Sequence, residues 1–325
     1  MILKKGDEIR VIAPSRSMNI LSEDTINNAK TILESMGLTV TFGKNVMKYD
    51  EDYGCASIEE RIDDLHEAFL DNNVKGIFTV IGGYNINQLL KYIDYDIIKN
   101  NPKVLCGFSD ITALQNAIYT KTNMITFYGP HFSTFGMKKG IEYTVESMKK
   151  MLLTDEPVEI TNSNEYSDDF WFIDQENRKF IKNEGMKVIN HGIAEGKILG
   201  GNLCTFNLLQ GTGFMPDISG SILFLEDDDL CGNVFLQEFD RNLQSIIQLP
   251  NFDKVKGIVI GRAQVKGNMD NAKWEKLITT KKELKDLPVI VGADFGHTTP
   301  IFTFPIGGKC RINTITDEVK IEIEK

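Results

Sequence analysis

Short apolar runs alternate with apolar residues at helical spacing through the first half of the chain, and this alternation most restricts what it can fold into. Parallel strands need a crossover connection, usually a helix, so a repeated strand-then-helix pattern predicts a parallel sheet covered by helices. Arg10 to Ala13 reads as a first strand, ended by Pro14. Ala29, Ile32, Leu33 and Met36 fall at i, i+3, i+4 and i+7, and Gly37 follows where a left-handed cap is wanted. Leu38 to Phe42 reads as a second strand, and Ser57-Ile58-Glu59-Glu60 has capping-box spacing ahead of a helix through Ile62, Leu65 and Phe69. Gly76 to Ile81 is expected as a third strand, then a helix through Ile86, Leu89, Leu90 and Ile93. A strand Lys103 to Cys106 and a helix through Ile111, Leu114 and Ile118 complete the series.

From about Thr154 to Gly196 the periodicity fades into charged, aromatic and Asn-rich sequence, including Asn162-Ser163-Asn164 and Ser167-Asp168-Asp169. Beyond it, Ser221 to Leu225, Gly257 to Ile260, Pro288 to Val291 and Val319 to Ile323 read as strands, with one clear helix through Leu236, Phe239, Leu243 and Ile246. The expected fold class is α/β: an amino-terminal doubly wound, mostly parallel sheet domain followed by a smaller mixed α/β, strand-rich domain. The expected division is 1–155 for the first domain, 156–195 for an irregular linker and substrate loop, and 196–325 for the second domain. A length of 325 residues suits two compact units.

Charge and cysteine usage narrow the partners. Thirty-six Lys and Arg against 46 Asp and Glu give a net charge of −10, which argues against nucleic acid, since a phosphate backbone needs a basic face. The run Val11-Ile12-Ala13 is too short for an export signal, and no window approaches the roughly 18 apolar residues that span a bilayer. No membrane partner and a cytoplasmic location are therefore expected. The five cysteines are odd in number, widely spaced and without a Cys-x-x-Cys pair, which predicts reduced thiols and no zinc site.

Ligands of open parallel sheets collect at the carboxyl ends of strands, so the segments after each strand are where chemistry is sought. Gly82-Gly83-Tyr84-Asn85 follows the third strand; it is either a structural turn or a place where backbone N–H groups approach an anion. Gly107-Phe108-Ser109-Asp110-Ile111-Thr112 lies between a strand and a helix, the context of a nucleophile elbow, although Ile111 stands where that pattern has glycine. Helix capping by Ser109 or Asp110 is the plainer reading. A serine nucleophile needs a base and an orienting acid. Of the four histidines, His66, His131 and His191 read as structural or surface residues, whereas His297 follows the strand Val289-Ile290-Val291 in a glycine-containing loop. For the acid, Glu226 abuts the strand Ser221 to Leu225, while Asp227-Asp228-Asp229 reads as a solvated turn or a cation site.

Taken together, Ile81-Gly82-Gly83-Tyr84-Asn85, Gly107-Phe108-Ser109-Asp110-Ile111-Thr112, Gly200-Gly201-Asn202-Leu203, Leu225-Glu226-Asp227 and Asp294-Phe295-Gly296-His297-Thr298 resemble the LD-carboxypeptidase family of serine peptidases. That family comprises cytoplasmic murein LD-carboxypeptidases and microcin C self-immunity hydrolases. The resemblance implies Ser109 as nucleophile, His297 as base, Glu226 as orienting acid, and backbone N–H groups of Gly83 and Asp110 as oxyanion hole. It also implies a homodimer without metal or cofactor. Gly82, Tyr84, Asn202 and Trp171 are the substrate-contact candidates, with Asn202 equally readable as a structural amide and Trp171 as a boundary core residue.

Within the family, Ile81 to Leu90 and Thr126-Phe127-Tyr128-Gly129-Pro130 lie closer to the microcin-immunity branch, as does the segment around Phe170-Trp171. A lysine that this branch tends to carry shortly after the glutamate is missing from Asp227-Asp228-Asp229-Leu230. The expected function is hydrolysis of a peptide or aminoacyl-nucleotide amide. Release of terminal D-alanine from a murein tetrapeptide is the alternative, and a non-catalytic protein binding a small anion is the rival of another class.

Overall fold

The computed structural model describes residues 2–325. Strands and helices alternate as β1 (Glu8–Ile12), α1 (Glu23–Ser35), β2 (Thr39–Phe42), α2 (Ile58–Leu70), β3 (Val74–Thr79), α3 (Tyr95–Asn100), β4 (Val104–Gly107), α4 (Thr112–Thr122), β5 (Thr126–Tyr128) and α5 (Glu142–Leu152). Four short strands follow: β6 (Val158–Glu159), β7 (Glu165–Tyr166), β8 (Ile181–Lys182) and β9 (Lys187–Asn190). The rest of the chain forms β10 (Ile193–Asn202), α6 (Leu203–Asn207), β11 (Ser221–Glu226), α7 (Phe235–Ile247), β12 (Gly257–Gly261), α8 (Asn271–Thr279), β13 (Val289–Ala293), β14 (Phe304–Ile306), β15 (Lys309–Asn313) and β16 (Lys320–Glu324).

Local chemistry explains several of these boundaries. The Ser57 hydroxyl accepts the Glu60 N–H while the Glu60 carboxylate accepts the Ser57 N–H, so the expected capping box starts α2. Helix α1 ends at Ser35, and Gly37 takes the left-handed φ of 86° that a side chain would resist. The helix expected through Ile86 to Ile93 is not formed. Only a single 3-10 turn occurs at Ile86–Gln88, and α3 begins later, behind the Asp94 cap. Ile86, Leu89, Leu90 and Ile93 are all buried, so their spacing reports a shared inward face of a turning loop.

The first sheet has strand order β14-β5-β4-β3-β1-β2, parallel throughout except for antiparallel β14. The second has order β6-β16-β15-β10-β11-β12-β13-β9, in which β10 to β13 are parallel and the flanking strands antiparallel. This is the mixed α/β architecture of two sheets that the pattern predicts. A single cut after residue 155 does not separate them: β14 comes from the last quarter of the chain yet pairs with β5. The stretch 156–195, expected to be irregular, contains β6 to β9, two of which are edge strands of the second sheet.

Buried rings join the two sheets. Tyr128 of β5 stacks on Phe304 of β14 at 4.7 Å between centroids, and Phe304 meets Phe224 of β11 at 4.8 Å. Polar ties reinforce that junction, since Asn116 of α4 donates to the Gly200 carbonyl at 2.8 Å and the Asn202 N–H donates to Thr112 Oγ1 at 2.9 Å. Close packing of this kind holds the carboxyl ends of the two sets of parallel strands in fixed register across one cleft.

Candidate active site

Strand β4 is buried along its length, and the chain turns sharply after it: Phe108 is extended, Ser109 has φ of 59°, and a 3-10 turn at Ser109–Ile111 leads into α4. A positive φ at a residue with a Cβ is strained by about 1–2 kcal/mol and persists where the surroundings enforce it. Here the opposing loop leaves room for the apex. A Cβ on Gly82 would come within 3.0 Å of both Cβ and Oγ of Ser109, so glycine at 82 lets the hydroxyl face the cleft. Replacing Ser109 by Gly is expected to raise stability over Ser109→Ala by about 1 kcal/mol, measured by urea unfolding, because only glycine relaxes that φ.

His297 arrives from the loop after β13, and its Nε2 lies 3.0 Å from Ser109 Oγ. Its Nδ1 lies 2.8 Å from Oε2 of Glu226, the last residue of β11. Gly296, with φ of 108°, is needed at this point because a Cβ there would sit 2.6 Å from Glu226 Oε2. The other carboxylate oxygen of the buried Glu226 accepts the Tyr128 hydroxyl at 2.8 Å and the Asn202 amide at 3.3 Å. Burial alone would push the His297 pKa down, but the Glu226 charge and hydrogen bond, joined by Asp228 and Asp227, outweigh it and hold the imidazole above its ordinary value. Tyr128 is driven well above the usual phenol range by burial and by Glu226, so it remains a donor. Tyr128→Phe leaves a buried carboxylate short of one partner and is expected to cost about 1–3 kcal/mol in denaturant-measured stability.

The loop opposite the elbow is pinned from beneath. The buried Asp110 carboxylate accepts the Ser15 hydroxyl at 2.6 Å and the N–H groups of Asn85 and Ile86 at 3.0 and 3.1 Å. Burial raises the pKa of Asp110, and these donors work against that rise. The side chain of Asp110 therefore anchors the Gly82-Gly83 loop, while its own N–H belongs to the first helical turn, where backbone donors lack helical acceptors. Gly83 packs tightly, since a Cβ would meet Ser15 Oγ at 2.5 Å and Arg16 Cγ at 2.7 Å.

Ser109 lies between two cavities. The larger, about 460 Å³, is lined by Ser109, His297, Arg16, Tyr84, Met137 and the aromatic run Phe170, Trp171 and Phe172. The smaller, about 290 Å³, is lined by Ser109, Asn202, Cys204, Asp227, Asp228 and Glu238. Gly82, Tyr84 and Trp171 thus border the cleft, and Tyr84 is exposed. Asn202 borders the smaller cavity, but its amide oxygen caps α6 by accepting the Thr205 N–H and its amide nitrogen faces Glu226 and Asp227, both at 3.3 Å. Cys204, Asp227 and Asp228 each place one ligand atom within 4.8 Å of the others. Burial pushes the Cys204 thiol up, and burial with the charges of Glu226 and Asp228 raises Asp227 to about 7, so binding a metal here would compete with protons on both groups.

Of the other histidines, His131 is buried with its Nδ1 at 2.8 Å from Thr79 Oγ1, and His66 accepts the Asp94 N–H at 3.0 Å. Ser15 and Arg16 carry no functional signal in sequence, and Tyr128 enters there only within a stretch resembling the microcin-immunity branch, with no role of its own. Tyr128 reads as one more apolar strand residue, and only the need of a buried hydroxyl for a partner would have singled it out.

Residues 9–129 match the LD-carboxypeptidase N-terminal domain and residues 195–312 the LD-carboxypeptidase C-terminal domain. The chain belongs to the LD-carboxypeptidase family. It is accordingly a hydrolase of the serine peptidase type. The crystal structure of an MccF-like protein from Bacillus anthracis is 52% identical, covers 100% of this chain and 98% of its own, and superposes with a TM-score of 0.99. The microcin C7 self-immunity protein MccF of Escherichia coli is 31% identical over 98% of this chain and 94% of its own. A solved MccF in complex with glutamyl sulfamoyl guanosine, 30% identical, covers 100% of this chain and 97% of its own with a TM-score of 0.87. A Bacillus subtilis protein described as a probable murein peptide carboxypeptidase is 31% identical over 98% of this chain and 93% of its own.

Proposed function

We propose that Ser109, His297 and Glu226 are the catalytic triad of an amide hydrolase. The observation that carries this reading is the continuous chain of contacts from Ser109 Oγ to His297 Nε2 at 3.0 Å and from His297 Nδ1 to Glu226 at 2.8 Å. In this mechanism neutral His297 takes the hydroxyl proton as Ser109 Oγ bonds to the substrate carbonyl carbon. The backbone N–H groups of Gly83 and Asp110 stabilise the resulting oxyanion, each donor lowering the barrier by about 3 kcal/mol. His297 then delivers that proton to the departing nitrogen as the C–N bond breaks. Water, deprotonated by the same imidazole, releases the acyl group from Ser109.

The substrate is a small peptide or an aminoacyl-nucleotide amide of the kind cleaved in the microcin-immunity branch. Gly82, Tyr84 and Trp171 border the cleft as contacts for it, and the Trp171 ring, with Phe172 set nearly perpendicular to it at 5.9 Å, is a surface on which a nucleobase can stack. Asn202 contributes by holding Glu226 and by closing the smaller cavity. The acid-only run after Glu226, with no lysine, favours the second reading, release of terminal D-alanine from a murein tetrapeptide. Full-length protein incubated in parallel with a murein tetrapeptide and an aminoacyl sulfamoyl nucleoside, read by mass spectrometry, decides between them. Turnover of neither, with tight binding of a small anion, would leave the non-catalytic binder.

We place the protein in the cytoplasm, in keeping with five free cysteines, and as a homodimer, in keeping with the exposed side chains of Phe170, Phe172 and Ile173. Among the described residues, no helix is long and apolar enough to cross a membrane. The division into 1–155, 156–195 and 196–325 is kept as a functional one: nucleophile, substrate loop, then acid and base.

A further inference from the structure

In the first sheet β2 lies on one side of β1 and β3 on the other, so the winding reverses between β1 and β3. Open α/β sheets take their ligands in the crevice at the carboxyl ends of such a pair. Arg16 follows β1, and Gly82 and Gly83 follow β3. The two segments are locked together: Arg16 donates to the Gly82 carbonyl from its backbone N at 3.4 Å and from its side-chain Nε at 3.2 Å. The stem of Arg16 lies against Gly83, whose missing Cβ would otherwise crowd its Cγ.

This fixes the Arg16 side chain in the wall of the 460 Å³ cavity that Ser109 also lines. Its Nη groups are unspent. Among the described residues no carboxylate lies within 4.0 Å of them, whereas Arg10 is paired with Glu8 and Asp71, and Arg262 with Asp294. Arg61, which has no ion pair either, spends its donors on two carbonyls and Gln88. A half-buried guanidinium held through its Nε, with both Nη groups unpartnered and its residue in a cavity wall, is suited to end-on binding of an oxyanion.

We propose that Arg16 holds the anionic group of the leaving half of the substrate. This rests on the cleft at Ser109 being the substrate cleft. The group is either the terminal carboxylate of a peptide, one residue or about 3.8 Å beyond the scissile unit, or the phosphoryl-type link of an aminoacyl-nucleotide. In either case Arg16 supplies a cation on the leaving side of the scissile bond, where a neutral leaving group would find no partner.

The test separates binding from turnover. Full-length protein carrying Ser109→Ala is titrated calorimetrically with a tetrapeptide ending in D-alanine and with its carboxamide, and in a second arm with AMP and with adenosine. The same titrations are run with Arg16→Gln added. One anionic ligand is expected to bind about 10- to 100-fold more tightly than its neutral partner, and Arg16→Gln is expected to shrink that ratio to within about twofold by weakening the anion alone. Which arm responds names the source of the anion. Equal weakening of anion and neutral partner would mean that Arg16 only supports the glycine loop, and either that result or the lack of any anion preference overturns the proposal. If the preference vanishes with Arg16→Gln while protein with Ser109 intact turns over neither substrate class, the anion site stands and the hydrolase reading falls.

Discussion

Ser109→Ala lowers kcat on a cleavable peptide or aminoacyl-nucleotide by about 10⁵- to 10⁶-fold, with an unfolding midpoint close to that of the unsubstituted protein. The size follows from the way a triad acts as a unit: without the hydroxyl there is no acyl-enzyme, and what survives is the contribution of oxyanion donors and substrate binding. The unfolding midpoint is spared because Ser109 is only partly buried and alanine keeps the same backbone strain. Steady-state kinetics beside urea unfolding check both statements. A loss below about tenfold would place the chemistry at another residue.

Glu226→Gln carries the second large effect, and the surrounding hydrogen bonds dictate its sign. Tyr128 and Asn202 both donate to Oε1 of Glu226, so a glutamine would be turned with its carbonyl toward them. Its NH₂ group then faces Nδ1 of His297, which must accept, and the imidazole proton is forced onto Nε2, where Ser109 needs a vacant lone pair. A loss of about 10⁴-fold in kcat at neutral pH is expected from this wrong tautomer. The pH profile adds an independent readout. In the unsubstituted protein Glu226 holds the His297 pKa above its ordinary value, so kcat/KM climbs with pH along an acid limb displaced upward. Removing the charge leaves burial dominant, and the residual activity of Glu226→Gln reaches its plateau at lower pH. A variant with unaltered pH dependence would show that Glu226 does not act on His297.

The parts of this site that were legible in sequence are those written in a few consecutive residues. A strand, a turn and a helix make an elbow at Ser109 one of two readings beside helix capping, a strand running into a carboxylate or a histidine loop makes Glu226 and His297 candidates, and the family resemblance joins the three. Fold class was legible for the same reason, because strand and helix periods are local. What escaped depends on residues far apart in the chain. Tyr128 acquires its role only when Glu226, 98 positions away, is brought to its hydroxyl. The Asp110 side chain, read as a cap of its own helix, instead accepts the N–H groups of Asn85 and Ile86 from the opposing loop. Strand β14 joins the first sheet after the chain has built most of the second, an order that no periodicity encodes. Arg16 follows Pro14-Ser15 in a stretch without pattern, and its meaning comes from the switch between β1 and β3.

The most direct measurement is covalent labelling with a fluorophosphonate, followed by mass spectrometry of the digested protein. An activated serine oxygen is predicted to gain a single phosphonyl group, located to Ser109, and to lose that reactivity in His297→Ala. Unlabelled Ser109 in well-folded protein, or an adduct that forms equally well without the imidazole of His297, would contradict the account.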